Sequence, residues 1–89
     1  MRCYKIRISG RVHGVNFRWS TKQKAKGLGI NGYVRNQEHR LVYIEAEGQE
    51  DCLEEFLAWC HRGPFFARVE KVEFEETDIA GYNTFEIKF

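Results

Sequence analysis

The sequence has little proline, no strong excess of charge of either sign and no long hydrophobic run. One proline in 89 residues and a formal net charge of +1 do not suit a disordered, solvated chain. The balance of 14 basic and 13 acidic residues provides no overall positive field for nucleic acid or an anionic membrane. No stretch approaches the roughly 20 apolar residues of a transmembrane helix, and the start lacks a signal-peptide core. We therefore predict a single cytoplasmic domain over residues 1–89.

Cysteine is also scarce. Cys3, Cys52 and Cys60 make an odd number without a CxxC pair, unlike the disulfide framework of small secreted domains. Cys52 and Cys60 fall on one predicted helix about 12 Å apart, which is too far for a disulfide. We expect reduced thiols in a reducing compartment.

The chain does contain a regular succession of strand and helix patterns. Apolar alternation predicts a first strand from Cys3 to Ser9, and helical spacing predicts a helix after the glycine-rich segment 10–16. Further patterns predict strands at 30–35, 41–46, 68–75 (with a bulge near Glu70-Lys71) and 85–89, and a second helix between Gly48 and Gly63. This β-α-β-β-α-β order predicts an α+β, ferredoxin-like split βαβ sandwich, in which two helices cover one face of an antiparallel sheet.

Large aromatic side chains are expected to fill the core of so short a chain. The phenylalanines predicted to be buried are Phe17, Phe56, Phe74, Phe85 and Phe89. Trp19 and Trp59 fall off the apolar stripes of their helices, and we expect them to be partly exposed.

Segment 10–18 is the strongest candidate for a binding or catalytic site in this sequence. It leaves a strand and enters a helix, whose first N–H groups have no partner within the helix and can bind an anion. Gly10 and Gly14 allow tight turns, and Arg18 offers a planar fork for phosphate oxygens. The spacing matches neither a Walker loop nor a dinucleotide fingerprint. From spacing alone, a phosphate cradle and an ordinary strand–helix turn both stay open, and Asn36 is equally typical of a hairpin turn.

Three segments in combination resemble the acylphosphatase family, and the resemblance extends over nearly the whole chain. They are Gly10-Arg11-Val12-His13-Gly14-Val15-Asn16-Phe17-Arg18, Gly32-Tyr33-Val34-Arg35-Asn36, and Gly63-Pro64 followed by Ala67-Arg68-Val69. The resemblance implies hydrolysis of a small acyl phosphate to a carboxylate and inorganic phosphate. It also implies that Arg18 and Asn36 are catalytic: Arg18 binds phosphate, and Asn36 orients the attacking water. The phosphate-binding loop, mainly through its backbone, is then His13, Gly14, Val15, Asn16, Phe17 and Arg18.

Such a reaction needs few protein groups. The carboxylate of an acyl phosphate is already a good leaving group, so placing water in line and stabilising phosphoryl charge are the main tasks. Fixed backbone donors and one arginine can supply the stabilisation. No ligand-like spacing relates His13, His39 and His61. We expect no metal, no cofactor, and a monomer that binds neither nucleic acid nor membrane.

Two positions depart from the family pattern. His13 stands where the family usually has Gln; if its side chain contacts the substrate, a titrating imidazole adds pH dependence near pH 6–7. If only its backbone contributes, the change is harmless. Arg40 stands where the family usually has glycine, which implies strain or a different hairpin turn.

The same fold also occurs with other functions. A non-catalytic module that binds phosphate or a partner is the main alternative. RNA recognition needs aromatics on the open sheet face and a characteristic third strand, which the segment 41–46 lacks. A metal chaperone needs a CxxC pair in the first loop, and none is present.

Overall fold

Five strands and two helices follow one another in the computed structural model, which describes residues 1–89. In chain order they are β1 (Arg2–Arg11), α1 (Phe17–Gly27), β2 (Asn31–Gln37), β3 (Leu41–Gly48), α2 (Glu50–Arg62), β4 (Arg68–Thr77) and β5 (Phe85–Lys88). The strands form one sheet in the order β4-β1-β3-β2-β5. The predicted α+β, split βαβ arrangement with an extra carboxyl-terminal strand is confirmed. Neither helix is long and apolar enough to cross a membrane.

The sheet is mixed, so the prediction of a purely antiparallel sheet is wrong at one edge. β1 pairs antiparallel with β3 and β4, and β3 with β2, but β5 pairs parallel with β2. β5 reverses the direction of β4 and then joins the opposite edge of the sheet, where β2 already runs in that same direction. Alternation within a strand cannot reveal this, because it does not identify the neighbouring strand.

The core lies between the helices and one face of the sheet. Alternate residues of β1 point into it, among them Ile6 and Ile8, and both are fully buried. Each helix contributes one apolar stripe to the same cluster. The helical members are Phe17 and Ala25 from α1, and Leu53, Phe56 and Cys60 from α2. Because both stripes meet one cluster, the two helices cover a single face, as predicted.

The aromatic predictions are partly wrong. Phe17, Phe56 and Phe85 are buried as expected, whereas Phe74 is 52% exposed and Phe89 is 100% exposed. Phe74 lies opposite Ile6 on the edge strand β4, where only one neighbouring strand flanks it. Phe89 follows the last residue of β5 and lies beyond the core. The tryptophans follow the prediction, since Trp19 is exposed and Trp59 is half-buried.

A bulge bends the sheet just before the glycine-rich segment. Ser9 pairs with Lys71 and Gly10 with Val69, so Glu70 has no partner on β1. This confirms the predicted bulge near Glu70. Gly10 has φ +127°, and a Cβ atom there would lie 2.2 Å from the carbonyl oxygen of Arg68. Only glycine permits this close approach of β1 and β4.

The connection from β4 to β5 is held by a buried carboxylate. Glu47 on β3 is 4% exposed. The backbone N–H groups of Ala80, Gly81 and Tyr82 donate to its two oxygens at 2.7–3.2 Å. These bonds fix the loop at the edge of the sheet, so that β5 can pair with β2 and extend toward the end of β2 that carries Asn36.

Candidate active site

A cleft of about 490 Å³ opens at the start of α1. Its walls come from the loop after β1, the first turn of α1, the end of β2 and the end of β5. The lining residues are Val12, Gly14, Asn16, Phe17, Arg18, Trp19, Asn36, Ile87 and Phe89. The structure therefore brings Arg18 and Asn36 to one cleft, together with part of the predicted loop.

Two residues of the loop before α1 have a left-handed backbone conformation. Gly14 has φ 71° and Asn16, the residue before α1, has φ 64°. Asparagine is one of the few side chains that tolerate this left-handed region, and its own side chain caps no N–H group of the helix. Turns with left-handed residues can direct successive N–H groups into one concavity.

The N–H groups of this loop have no acceptor within the protein. No backbone N–H of residues 13–16 donates a hydrogen bond. The N–H groups of Phe17 and Arg18 belong to the first turn of α1, where the helix provides no carbonyl oxygen to accept their hydrogen bonds. The first turn of α1 also contains no acidic residue, so its positive dipole end is not compensated by a side chain. An anion in the cleft could therefore interact with the free N–H groups and with the positive end of the helix dipole.

Arg18 is half-buried and is held by the end of β5. Its guanidinium carbon lies 4.6 Å from the centroid of the Phe89 ring, and Nη1 donates to the carbonyl oxygen of Lys88 at 3.5 Å. The second distance is long for a hydrogen bond, and a guanidinium has five N–H donors. Most of the donors of Arg18 are therefore free for a ligand, while the ring below limits its orientation.

Asn36 lies at the end of β2, on the same face of the strand as the buried Val34. Its backbone pairs with Val42 of β3, which fixes the position of its Cα atom. Its side chain is exposed and makes no hydrogen bond to any protein group. A carboxamide carries both an acceptor oxygen and two N–H donors, and is thus able to hold a water molecule at the cleft.

The cleft is electrostatically one-sided. Arg18 lines it, but no aspartate or glutamate does, although the chain contains 13 acidic residues. No group of three or more His, Cys, Asp or Glu side chains is arranged to hold a metal ion. The positive charge that the cleft offers thus comes from one arginine, backbone dipoles and a helix start.

Comparison with known proteins decides the family. The Acylphosphatase family model matches residues 4–87. The chain belongs to the acylphosphatase family. The resemblance inferred from the three sequence segments is therefore confirmed.

Individual acylphosphatases are similar along the whole chain. The acylphosphatase of Thermotoga petrophila is 46% identical over 89 residues, which is 100% of this chain and 99% of the relative. The crystal structure of an acylphosphatase from Bacillus subtilis superposes with a TM-score of 0.97 at 32% identity, covering 100% of each chain. A HypF protein from T. kodakarensis gives a TM-score of 0.87 at 30% identity, covering 100% of this chain but 12% of that protein.

Within this family the substitution at His13 has a simple structural account. His13 does not line the cleft; its Nε2 donates to the carbonyl oxygen of Leu41 at 2.6 Å. The bond requires the proton on Nε2, because a carbonyl oxygen is only an acceptor. Val15 also points away from the cleft, and packs against the core. Of the loop residues that the acylphosphatase resemblance assigned, these two thus contribute no side chain to the cleft.

The departure from the acylphosphatase pattern at Arg40 lies in the hairpin between β2 and β3. His39 has φ 64° and Arg40 has φ 60°, so two adjacent residues with side chains occupy the left-handed region. A glycine at position 40 adopts this conformation without steric cost. Arg40 therefore occupies a strained backbone position, which agrees with the expectation of strain at this turn.

Gly63 of the third acylphosphatase-like segment makes room for α1. It follows α2 with φ +69°, and a Cβ atom there would lie 2.8 Å from the ring of Phe17 and 3.2 Å from Cβ of Ala67. Phe17 is the first residue of α1 and lines the cleft. The close packing of Gly63 against Phe17 thus fixes the position of the first turn of α1, which carries Arg18.

Sequence reasoning missed the wall that the carboxyl-terminal residues build. Ile87 and Phe89 line the cleft, and Phe89 also contacts Arg18. Their apolar alternation resembles that of any half-buried strand. Only the pairing of β5 with β2 brings them to the cleft, and no local signal predicts that pairing.

Proposed function

We propose that this chain hydrolyses acyl phosphates to a carboxylate and inorganic phosphate in the cleft at the start of α1. The observation that carries the proposal is the convergence of Arg18, Asn36 and unpaired N–H groups on a cleft without acidic side chains. Membership of the acylphosphatase family supports the same reaction. A small acyl phosphate is accordingly the substrate, and inorganic phosphate is a product.

The phosphoryl group binds first. Its oxygens accept hydrogen bonds from the backbone of the loop 13–18 and from the guanidinium of Arg18. Because these donors are fixed before the substrate arrives, they stabilise the charge of the transition state without rearrangement. Phe89 and the carbonyl of Lys88 keep the guanidinium at the mouth of the cleft.

Water then attacks phosphorus. The carboxamide of Asn36 holds the water opposite the leaving oxygen, so that the new P–O bond forms in line with the bond that breaks. The carboxylate leaves with the electron pair of the broken bond, and the proton of the water passes to a phosphoryl oxygen. Asn36 is not a base and only positions the nucleophile. The apolar wall of Val12, Trp19, Ile87 and Phe89 accommodates the acyl group.

The remaining properties of the enzyme belong to the same proposal. We propose a single domain over residues 1–89, acting as a cytoplasmic monomer without metal or cofactor. One sheet and one chain supply every group that the mechanism uses, which supports the monomer. The cysteines are free, and burial raises the pKa of Cys3 to about 11, so it stays a protonated thiol.

A non-catalytic module is the less favoured alternative. The match to part of the longer HypF protein shows that domains of this shape occur inside larger chains. The relative from Thermotoga petrophila, in contrast, spans the same length as this chain and is named an acylphosphatase. Turnover by the isolated protein distinguishes the two functions.

The test is hydrolysis of an aryl acyl phosphate by the wild type and by Arg18→Ala and Asn36→Ala. We expect each substitution to lower kcat/KM by about 10²-fold or more. Arg18→Ala is also expected to weaken inhibition by phosphate, whereas Asn36→Ala leaves that inhibition largely intact. Arg62→Ala and Asn83→Ala, two exposed residues outside the cleft, are matched controls. A chelator is expected not to change the wild-type rate.

Normal rates in either variant remove that residue from the mechanism. Phosphate binding without any turnover in the wild type favours the binding module instead. A rate lost to the chelator and restored by a divalent cation contradicts the metal-free reaction.

A further inference from the structure

A second cleft, of about 560 Å³, is not used by the proposed reaction. It lies between the end of β1, the hairpin turn between β2 and β3, and the bulge of β4. Its lining contains no apolar residue and includes Arg11, Arg40, Arg68, His39 and Glu70. The three arginines come from three different elements, and the cleft shares no lining residue with the one that contains Arg18.

The positive charge of this second cleft is not neutralised by the protein. None of Arg11, Arg40 and Arg68 forms an ion pair, and neither does Glu70. The three arginines and one glutamate leave an excess of two positive charges, with His39 neutral. The whole chain has a formal charge of only +1, so this is a local concentration of charge.

Two features of this arrangement of arginines cost stability. Arg11 and Arg68 are direct partners in the antiparallel pair of β1 and β4, and like charges in that position repel. Arg40 is kept in the left-handed region, where strain is often associated with function. An anion bound between Arg11 and Arg68 would relieve the repulsion between their charges.

The backbone beneath the arginines is closely packed. A Cβ atom on Gly10 would lie 2.2 Å from the carbonyl oxygen of Arg68 and 2.8 Å from the backbone nitrogen of Glu70, so a side chain at this position would block the close approach of the two strands. The bulge at Glu70 is thereby fixed, and with it the placement of Arg68 beside Arg11. The backbone that supports the arginines is thus fixed by the fold, which reduces the entropic cost of placing their side chains around a ligand.

We propose that this second cleft binds a small anion that carries at least two phosphoryl or carboxylate groups. A guanidinium pairs with two oxygens of one such group, so arginines from three elements suit several anionic groups better than a single one. The proposal does not depend on catalysis at Arg18. A shallow hollow lined by both Asn36 and His39 makes the two clefts neighbours on the surface.

The test is a titration of the ¹⁵N-labelled protein with tripolyphosphate and, separately, with citrate, monitored by amide chemical shifts at low ionic strength. It uses Arg18→Ala, in which binding at the catalytic cleft is weakened. We expect saturable shifts at residues 9–11, 39–41 and 68–70. The double variant Arg11→Gln/Arg68→Gln is expected to weaken binding about tenfold, and Arg62→Gln to leave it unchanged.

A variant that is expected to bind more tightly provides a further test, because a folding defect weakens binding and cannot strengthen it. Glu70→Gln removes the only acidic side chain of the cleft and is expected to tighten binding about two- to fivefold. Saturation by tripolyphosphate or by citrate identifies the phosphoryl or the carboxylate class. Shifts confined to residues 12–18, shifts that do not saturate, or equal affinities in Arg62→Gln and the double variant overturn the proposal.

Discussion

Two loops of this molecule offer backbone N–H groups to an anion, and only one of them is occupied by the protein itself. In the loop 80–82, three N–H groups donate to the buried carboxylate of Glu47. In the loop 13–18, the N–H groups have no acceptor. The side chain that β2 brings to this second loop is the neutral carboxamide of Asn36. The same backbone chemistry thus stabilises the fold in one loop and leaves N–H groups without an acceptor in the other, where we propose that phosphate binds.

The helices differ in the same way. The first turn of α2 contains Glu50 and Asp51, whose charges complement its positive dipole end. The first turn of α1 contains no acidic residue and begins at the cleft. Acidic side chains are therefore present at the start of α2 and absent from the start of α1, where we propose that an anionic substrate binds.

The difference between the two loops is tested most directly by placing a carboxylate at the open loop. Asn36→Asp changes few atoms but adds a negative charge to the cleft, where it repels a phosphoryl group. We expect kcat/KM to fall by about 10³-fold and inhibition by phosphate to be lost, unlike in Asn36→Ala. Measurement of both quantities above pH 7, where the added carboxylate is ionised, checks this. Equal inhibition of the two variants by phosphate would mean that the charge of the cleft is unimportant.

Removal of the internal carboxylate tests the occupied loop. Glu47→Ala leaves the N–H groups of Ala80, Gly81 and Tyr82 without their acceptor, and we expect the free energy of unfolding to fall by about 2–4 kcal/mol. Glu47→Gln retains one acceptor oxygen and is expected to lose about half as much. Urea unfolding provides the values, with the exposed Glu86→Ala as control. A loss below about 0.5 kcal/mol in Glu47→Ala would show that water replaces the carboxylate at no cost.

The backbone of the open loop can be tested separately from its side chains. Asn16→Val places a β-branched residue at φ 64°, and we expect a loss of about 1–2 kcal/mol in the free energy of unfolding. Asn16→Gly removes the same carboxamide without the conformational cost, so its stability should stay within about 0.5 kcal/mol of the wild type. Urea unfolding of both variants gives the comparison. Equal losses would assign the effect to the missing side chain instead of to the left-handed backbone.

The open loop could be located from the sequence because all of its determinants are local. Glycines, the strand before it and the helix after it fall within residues 10–18, and a local pattern predicts them. The roles of Arg18 and Asn36 came from the family resemblance and stay predictions. The loop 80–82 could not be foreseen, since its partner Glu47 is more than thirty positions away and looks like any alternating strand residue.

The errors have the same origin in long-range contacts. Alternation placed Phe74 and Phe89 in the core, but an edge strand and a strand end leave both exposed. The contact of Phe89 with Arg18 and the parallel pairing of β5 depend on a strand that crosses to the far edge of the sheet. Local periodicity identifies a strand and its two faces, but not its neighbour in the sheet.

The smallest expected effect concerns the carboxylate of Glu45, which accepts hydrogen bonds from side chains, whereas that of Glu47 accepts them from the backbone. Tyr33 and Tyr43 donate to Oε2 of Glu45, and Tyr82 donates to Oε1. Burial raises the pKa of Glu45, but the hydrogen bonds from the three hydroxyls, together with the charge of Lys5, lower it by more, so the net pKa lies below the usual value. A lowered pKa stabilises the fold above the unfolded-state pKa, and this contribution is lost as the pH falls through the folded-state value. We expect the stability difference between the wild type and Glu45→Gln to shrink by no more than about 1 kcal/mol between pH 7 and pH 3, because Glu45 is only half-buried. Urea unfolding at several pH values measures it, and a difference that grows on acidification would contradict the assigned direction.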